Sequence, residues 1–239
     1  YKRQTPLNPK LSMVRKPGKY RVVELYTWTN MVASAANLEP DVWECYEPIS
    51  LPRFDILTES GRINARAFMY VVDPDLVVIA DPCTAWSIMN LNMIQRTPQQ
   101  CRDLQVKQEK ARTFLVFVEE IVHFQHKRLR AVVRENPTTS VSWKEPPIMA
   151  AFSQPGMASV KTDMCMYNKV RPDTGEHVRK STMLKGTKEI CEACTRKCDK
   201  SHSHSPIEGR MAVKPMVNGV LPKTCKVSER AGGYTIDFA

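Results

Sequence analysis

The sequence predicts an α/β fold in which a mostly parallel β-sheet is flanked by helices. Two observations lead to this prediction: short runs of Val, Ile and Leu alternate with segments of helical composition, and the chain of 239 residues is 42% apolar. Alternating strands and helices are typical of parallel sheets, because a helical crossover returns the chain to the same edge of the sheet. The length and the apolar content are sufficient for one such domain with additions.

Five apolar runs predict the strands of this sheet. Each run is short, and a segment with polar residues or proline follows it. The predicted strands are residues 21–26, 41–46, 53–57, 76–80 and 129–133. Between them, composition predicts helices over residues 30–38 and 60–72. Over residues 99–127, apolar side chains recur at three- and four-residue spacing, which predicts a long amphipathic helix.

The chain beyond Pro147 is less regular than the part before it. Residues 159–170 predict a further strand, and residues 187–198 predict a short helix. The predicted organisation is a basic extended arm over 1–19, an α/β core over 20–150, the remainder of the core with a Cys/His segment over 151–210, and an irregular tail over 211–239.

The formal net charge of +10 and the pI near 9.3 indicate polyanionic partners. Nucleic acid is favoured over an anionic membrane surface, because no amphipathic anchor segment is present. No apolar run approaches the length that spans a bilayer, and the basic start lacks the apolar core of a signal peptide. We therefore expect an intracellular or nuclear protein without a membrane partner. The initial Tyr1, in place of Met, indicates that the chain is processed, trimmed or excised from a longer polyprotein.

A cysteine and a carboxylate follow two neighbouring strands of the predicted sheet. Cys83 comes after Pro82 at the end of "LVVIADPC", and Glu135 begins "ENP" one long helix and one strand later. A cysteine at a strand end is more often a packing residue than a nucleophile. However, the carboxyl ends of parallel strands meet at one edge, so the thiol and the carboxyl group can face one pocket. This pairing suits covalent attack on an electron-poor ring, with an acid to protonate it.

The two motifs "PCTAWS" and "ENP", in this order and at this separation, resemble the catalytic motifs of cytosine-C5 DNA methyltransferases. Residues 20–210 as a whole resemble methyltransferase-like domains embedded in retroelement polyproteins, notably those of dinoflagellates. The resemblance implies a class I methyltransferase-like, or Rossmann-like, fold with a zinc-stabilised carboxyl-terminal extension. It also implies DNA as the substrate and S-adenosylmethionine as the methyl donor.

The resemblance implies a role for each residue of the two motifs. Cys83 would be the thiolate that adds to C6 of an extruded cytosine, and Pro82 would shape the loop that presents it. Glu135 would hold the base at N3 and at the exocyclic amine. Asn136 would fix its loop through hydrogen bonds.

A basic residue on a later strand supports the target base in this family. Arg179 is the position assigned to that role in this sequence, and the adjacent Lys180 is the alternative. The Gln-x-Arg spelling that usually marks this position is absent from this stretch of the chain.

The resemblance also implies residues that bind the methyl donor. They lie at the ends of the predicted strands, where an acid could bind the ribose hydroxyls or the adenine amine. The set is Glu24, Tyr26, Glu44, Asp55, Asp81 and Pro82, with Glu47 as an alternative to Glu44. The family has a glycine-rich turn after its first strand, whereas "ELYTWTNMVASAA" contains no glycine. This departure favours an alternative function, a degenerate domain that serves as a nucleic-acid-binding or structural part of a larger assembly.

Cysteines and histidines cluster near the carboxyl-terminal end of the core. Four of the eight cysteines fall between Cys165 and Cys198, and two histidines follow. Two four-ligand sets are compatible with tetrahedral zinc. The favoured set is Cys165, Cys198, His202 and His204, and the competing set is Cys191, Cys194, Cys198 and His202. A closed zinc site would supply folding energy to an otherwise irregular segment.

Overall fold

The computed structural model describes residues 18–26, 31–88, 97–171, 174–206, 210–212 and 224–226. Its strands are β1 (Tyr20–Leu25), β2 (Trp43–Cys45), β3 (Leu76–Ile79), β4 (Ala131–Pro137), β5 (Met157–Asp163), β6 (His177–Val178), β7 (Ser181–Thr187), β8 (His204–Ser205), β9 (Arg210–Ala212) and β10 (Thr224–Lys226). Its helices are α1 (Met31–Ala36), α2 (Glu59–Val72), α3 (Pro98–Lys127), α4 (Pro146–Ala151) and α5 (Lys188–Ala193). Short 3-10 turns lie at Thr84–Trp86, Val141–Lys144 and Met164–Tyr167.

Six strands form the central sheet, in the order β2-β1-β3-β4-β7-β5. The first four run parallel, and β7 lies antiparallel between β4 and β5. The predicted α/β architecture with a mostly parallel sheet and flanking helices is therefore confirmed. The strand order reverses between β1 and β3, and ligands of such sheets bind beyond the carboxyl ends of the strands at this reversal.

The helices cover both faces of the sheet. On one face, buried side chains of α2, α3 and α4 pack against alternate residues of the strands, such as Val77 and Val132. On the other face, α1 and α5 pack against the residues in between, such as Val78 and Val133. Burial of one such apolar side chain contributes roughly 1.5–3 kcal/mol. The two apolar layers therefore fix the positions of the strands. The polar side chains of the candidate site lie at the carboxyl edge, where the parallel strands end.

The long helix predicted over residues 99–127 is α3. The Thr97 side chain caps it by accepting a hydrogen bond from the Gln100 amide at 3.2 Å, and Pro98 occupies the first turn. At its carboxyl-terminal end, the buried Gln125 amide donates to the carbonyl groups of Pro74 and Ala131. This side chain therefore joins α3 to the starts of β3 and β4.

Other predicted elements differ from the structure. Residues 53–57 form turns instead of a strand. Phe54 and Ile56 are buried, which imitates a strand pattern, but the Asp55 side chain accepts from the Leu57 amide and closes a turn. The strand expected over 129–133 extends to Pro137, so "ENP" lies within β4. The strand expected over 159–170 ends at Asp163.

Most of the predicted terminal segments lie outside the described residues. This applies to positions 1–17 of the basic arm and to most of the tail over 211–239, in which β10 pairs antiparallel with β9. In the described part of the chain, no helix has the length and apolar character needed to cross a bilayer.

Gly186 permits the close approach of β7 to β4. A Cβ atom at this position would lie 2.1 Å from the Val132 carbonyl oxygen. We therefore expect Gly186→Ala to push the two strands apart and to destabilise the fold by about 1–3 kcal/mol, the usual range for overpacking. Chemical denaturation measures this change. Lys161→Ala, on exposed edge strand β5, should stay within about 0.5 kcal/mol, and equal effects of the two substitutions would contradict the packing argument.

Candidate functional site

The segment after β3 carries the predicted nucleophile. The Ala80 amide donates to the Leu25 carbonyl at 3.0 Å, which keeps the chain beside β1 as it leaves the sheet. Cys83 then precedes the 3-10 turn, and its carbonyl accepts from the Trp86 amide at 2.9 Å. Trp86 is fully buried and anchors the turn in the core. The Cys83 side chain is therefore presented from a backbone held at both ends.

A buried ion pair joins this segment to the neighbouring strand. The Arg134 guanidinium, on β4, donates to both carboxylate oxygens of Asp81, at 2.6 and 2.7 Å. It also donates to the Ser142 hydroxyl and lies 4.4 Å from the centre of the Trp143 ring. Both charged side chains are almost completely excluded from solvent. Bidentate contacts of this kind restrict orientation as well as distance, so Asp81 has a defined position relative to β4.

Asn136 makes a second connection between the same two segments. Its side-chain amide donates to the Asp81 carbonyl at 3.1 Å. The motif "ENP" thus fixes the backbone immediately before Pro82 and Cys83.

Glu135 lies between these two residues of β4 but projects to the opposite face of the sheet. One of its carboxylate oxygens accepts from the Lys180 amine and from the Thr182 hydroxyl, each at 3.3 Å. Glu135 and Lys180 are both mostly buried, with side chains 10% and 12% exposed. A charge pair with so little solvent is screened less than a surface pair.

The Cys83 thiol interacts electrostatically with Glu135 and Lys180. Burial raises the pKa of the Cys83 thiol, the negative charge of Glu135 raises it further, and the positive charge of Lys180 lowers it. The free protein therefore holds Cys83 mainly as the thiol at neutral pH. A change that neutralises Glu135 would favour the thiolate, which is the nucleophilic form.

Arg179 and Lys180 are placed differently. Lys180 contacts Glu135, whereas Arg179 is exposed and its charge acts on His204 of the Cys/His cluster. The geometry thus favours Lys180 over Arg179 as the basic residue of the site. Arg134 and Thr182 are not among the residues predicted from the sequence. A charged residue inside the apolar run of β4 was the available signal for Arg134.

Three predicted cofactor residues lie on, or directly after, the first two strands. Glu24 is buried, and one of its carboxylate oxygens accepts from the Ala33 amide of α1 at 2.7 Å. Tyr26 adopts a positive φ of 62°, and its ring packs edge-on against Phe114 at 4.9 Å. Burial and the charge of Asp81 raise the pKa of the Tyr26 hydroxyl. Within the described residues, the Tyr26 hydroxyl and one buried carboxylate oxygen of Glu44 have no hydrogen-bond partner.

The other predicted cofactor residues have internal roles or line a cavity. Asp55 closes the turn before α2, and the alternative Glu47 forms an ion pair with Arg53. Asp81 and Pro82 contribute to a cavity of about 330 Å³ between the Cys83 segment and α3. Its lining includes Leu57, Asp81, Pro82, Trp86, Lys107 and Phe114.

These residues fit S-adenosylmethionine in part. The cavity beside Pro82 and the unpartnered oxygen of Glu44 could serve a nucleoside. In contrast, the carboxylate of Asp81 is engaged by Arg134, and one oxygen of Glu24 is engaged by α1. Residues 27–30, where the glycine-rich turn of the family is expected, lie outside the described residues.

The predicted metal ligands lie close together near the carboxyl end of β5, the outermost strand of the sheet. The ligand atoms of the four residues all lie within 4.8 Å of one another, so the set is close enough to hold a metal ion. The Cys198 sulfur lies 3.7 Å from Nε2 of His202 and 3.5 Å from Nε2 of His204. The set is Cys165, Cys198, His202 and His204. Two thiols and two imidazoles are a donor set that suits tetrahedral zinc.

Neighbouring groups support the favoured ligand set over its competitor. The Cys198 amide donates to the Asp163 carboxylate at 3.0 Å, and the Lys200 amide donates to the Cys198 sulfur at 3.3 Å. Such contacts orient a ligand from outside the coordination sphere. Cys191 is instead a fully buried residue of α5, and its thiol faces the Ala158 carbonyl of β5. Among the described residues, no Cys/His/Asp/Glu group of three or more with this proximity includes Cys191 or Cys194.

No protein-family model matches the chain, and no curated protein matches it either.

The electrostatic arrangement predicts opposite effects of two substitutions on Cys83. We expect Glu135→Gln to lower the pKa of Cys83 and to speed its alkylation by iodoacetamide at pH 8 by about threefold to tenfold, since one pKa unit changes a small thiolate fraction tenfold. Lys180→Met should raise the pKa and slow the reaction. Peptide mass spectrometry measures the rates, with Cys101 of α3 as the internal control. Shifts in the same direction, or no shift in either variant, would be inconsistent with this arrangement.

The Cys/His cluster predicts metal-dependent stability. Burial and the adjacent Cys198 thiol raise the pKa of Cys165 to about 11, so a metal ion must displace protons to bind and its affinity should increase with pH. Cys198→Ser removes the sulfur nearest both histidines and should weaken zinc binding by at least about tenfold. Elemental analysis and chelator competition measure this effect. Cys194→Ser is the matched control, and equal zinc loss in the two variants would rule out the assigned ligand set.

Proposed function

We propose that this protein is a cytosine-C5 DNA methyltransferase-like protein with a class I methyltransferase-like fold, and that Cys83 is its nucleophile. The observation that carries the proposal is that Cys83, just after β3, and Lys180 both interact with Glu135, near the carboxyl end of β4. A thiol, a carboxylate and an amine at one site are the groups needed to activate a cytosine ring for attack at C6. The motif resemblance supplies the identity of the ring.

In the proposed reaction, Glu135 binds the N3 and exocyclic amine edge of an extruded cytosine. Glu135 takes the proton that leaves Cys83, which neutralises the Glu135 carboxylate and so favours the thiolate. Glu135 then passes this proton to N3 of the base. The sulfur then bonds to C6, and the electron pair of the C5–C6 double bond moves to C5. Lys180 compensates the negative charge of Glu135 before the base arrives, and it donates to the base oxygen afterwards.

When bound, S-adenosylmethionine would supply the methyl group that C5 takes up. The C5 proton is then lost to water, the returning electron pair expels the Cys83 thiolate from C6, and the N3 proton returns through Glu135 to that thiolate. This sequence conserves charge and restores the aromatic ring. Asn136 and Arg134 take no direct part, because their hydrogen bonds to Asp81 hold the backbone that carries Cys83.

The same proposal includes the partner and the metal. The net charge of +10 supports DNA binding, because cationic side chains exchange for the counterions of the phosphate backbone. Zinc is the metal proposed for the Cys/His cluster, in a structural role, since four protein ligands leave no open coordination position. A nuclear location and an origin in a retroelement polyprotein follow from the motif resemblance and from the DNA substrate.

A second function is favoured by the contacts of the predicted cofactor residues. Asp81 is held by Arg134, and Glu24 is bonded to α1, so two of the expected acids have structural roles. No glycine is present in "ELYTWTNMVASAA". The alternative is a degenerate methyltransferase-like domain that binds nucleic acid, or supports a larger assembly, without methyl transfer.

Trapping with a fluorinated substrate distinguishes the two functions. DNA that contains 5-fluorocytosine cannot lose a proton from C5, so a methylating enzyme remains attached to it through sulfur. We expect a covalent complex with the wild-type protein in the presence of S-adenosylmethionine, detected by denaturing electrophoresis and mass spectrometry. Cys83→Ala should abolish the complex, and Cys101→Ala should not.

Calorimetric titration with S-adenosylmethionine accompanies the trapping assay. Binding of the methyl donor together with a Cys83 adduct would establish the enzyme. Absence of donor binding at millimolar concentration, with DNA binding retained, would instead establish the degenerate domain.

A further inference from the structure

The cavity between the Cys83 segment and α3 has features that methyl transfer does not require. Its volume of about 330 Å³ is at the small end of the range for ligand-binding pockets. Two lysines of α3, Lys107 and Lys110, contribute to its lining. The apolar and aromatic part of the lining includes Leu57, Pro82, Ala85, Trp86, Ala111 and Phe114. The cavity therefore combines flat apolar surfaces with positive charge.

Direct contacts hold the two walls of this cavity together. The Gln108 side-chain amide, on α3, donates to the Ala85 carbonyl of the 3-10 turn at 3.3 Å. The Arg112 guanidinium, one turn further along α3, lies 5.6 Å from the centre of the Trp86 ring. Both contacts connect α3 to the turn that follows Cys83, so the cavity is formed before any ligand binds.

A buried donor without a partner adjoins the cavity. Trp86 is 1% exposed, and within the described residues its indole N–H has no hydrogen-bond partner. A buried indole N–H usually bonds to an acceptor, because desolvation of an unpaired donor is unfavourable. Trp86 also lines the cavity, so a ligand there with an oxygen or nitrogen acceptor can supply the missing partner.

The two lysines bring positive charge to the cavity. Lys107 and Lys110 are three residues apart, so they share one face of α3. Both are exposed, and within the described residues neither forms an ion pair or a side-chain hydrogen bond. Asp81, an acid in the cavity lining, is engaged by Arg134, and Asp103, one turn before Lys107, accepts from a glutamine side chain at 2.8 Å. These acids therefore leave the two amines available to a ligand.

We propose that this cavity binds a nucleoside phosphate, with its base against the aromatic lining and its phosphate held by Lys107 and Lys110. A planar base suits the Trp86 and Phe114 walls, and its nitrogen or oxygen atoms are acceptors for the indole N–H. Two amines on one helix face suit a phosphate, which offers several oxygen acceptors for charge-assisted hydrogen bonds. A single ligand class therefore satisfies the aromatic lining, the unpaired donor and the two charges.

This ligand differs from the methyl donor of the proposed function. S-adenosylmethionine has a net positive charge and a nucleotide has a negative one, so the two lysine charges favour the nucleotide. The nucleotide would occupy the space beside Pro82 that part of the methyl donor would use. The inference therefore goes beyond methyl transfer, to a nucleotide that competes with the methyl donor.

Calorimetric titration of the full chain tests this site with matched probes. The probes are AMP and CMP, their nucleosides adenosine and cytidine, and inorganic phosphate. We expect at least one nucleotide to bind at least about tenfold more tightly than its own nucleoside and than inorganic phosphate, because the base and the phosphate contribute together. Comparison with a single-stranded trinucleotide of the same base distinguishes a free nucleotide from a nucleotide within a strand.

Substitutions assign the affinity to the lysines and to the cavity. The double variant Lys107→Met, Lys110→Met should remove the preference for the nucleotide and leave the affinity for the nucleoside unchanged. Ala111→Phe should fill the cavity and weaken binding of both by at least about tenfold, with folding monitored by circular dichroism. Lys127→Met is the control, because Lys127 is exposed on the same helix about 25 Å from Lys110.

Two results would overturn the nucleotide site. One is an affinity for both nucleotides no greater than that for their nucleosides, and the other is a preference for the nucleotide that persists in the double lysine variant. A protein that binds a nucleotide through these lysines, but neither binds the methyl donor nor forms an adduct at Cys83, would retain this site and lose the proposed enzymatic function. A protein that binds the donor and forms the adduct, without a preference for nucleotides, would retain the enzymatic function and lose this site.

Discussion

The buried ion pair between Arg134 and Asp81 joins two parallel strands at the edge where their side chains change from apolar to polar. Replacement of a buried pair by apolar residues is often neutral for stability, so the value of this pair is positional. Breaking it from one side would leave an uncompensated charge in the core, at a cost of about 3–5 kcal/mol. The pair, together with Asn136, restrains the backbone before Pro82 and thus determines where Cys83 faces.

On the other face of the sheet, the Glu135 carboxylate interacts with both Cys83 and Lys180. Burial raises the pKa of Cys83, Glu135 raises it further, and Glu135 also forms an ion pair with Lys180, so the thiol is protonated in the free protein. Lys180 is bonded through its carbonyl to Met164, the residue before Cys165. The Cys/His cluster therefore adjoins the wall of the site, and a metal ion there would order the segment that positions the lysine.

The sequence predicted the parts of this structure that depend on local pattern. Alternation of apolar runs and helical periodicity predicted the parallel sheet and α3, and the spacing of four Cys and His residues predicted a metal-binding group that the structure brings together. Residues 53–57 were predicted wrongly, because burial of alternate residues in a turn imitates a strand. Arg134 was missed for another reason. A charged residue within an apolar strand was a signal, but its partner Asp81 lies 53 positions away, and residue type and spacing do not specify that contact.

A double-mutant cycle on the pKa of Cys83 tests the central claim that the buried pair sets the relation between Cys83 and Glu135. The pKa would be measured from the pH dependence of alkylation in the wild type, Asp81→Asn, Glu135→Gln and the double variant, with folding monitored by circular dichroism. If the pair positions Cys83, the decrease in pKa caused by Glu135→Gln should fall to roughly half or less in the Asp81→Asn background. An equal decrease in both backgrounds would contradict this account.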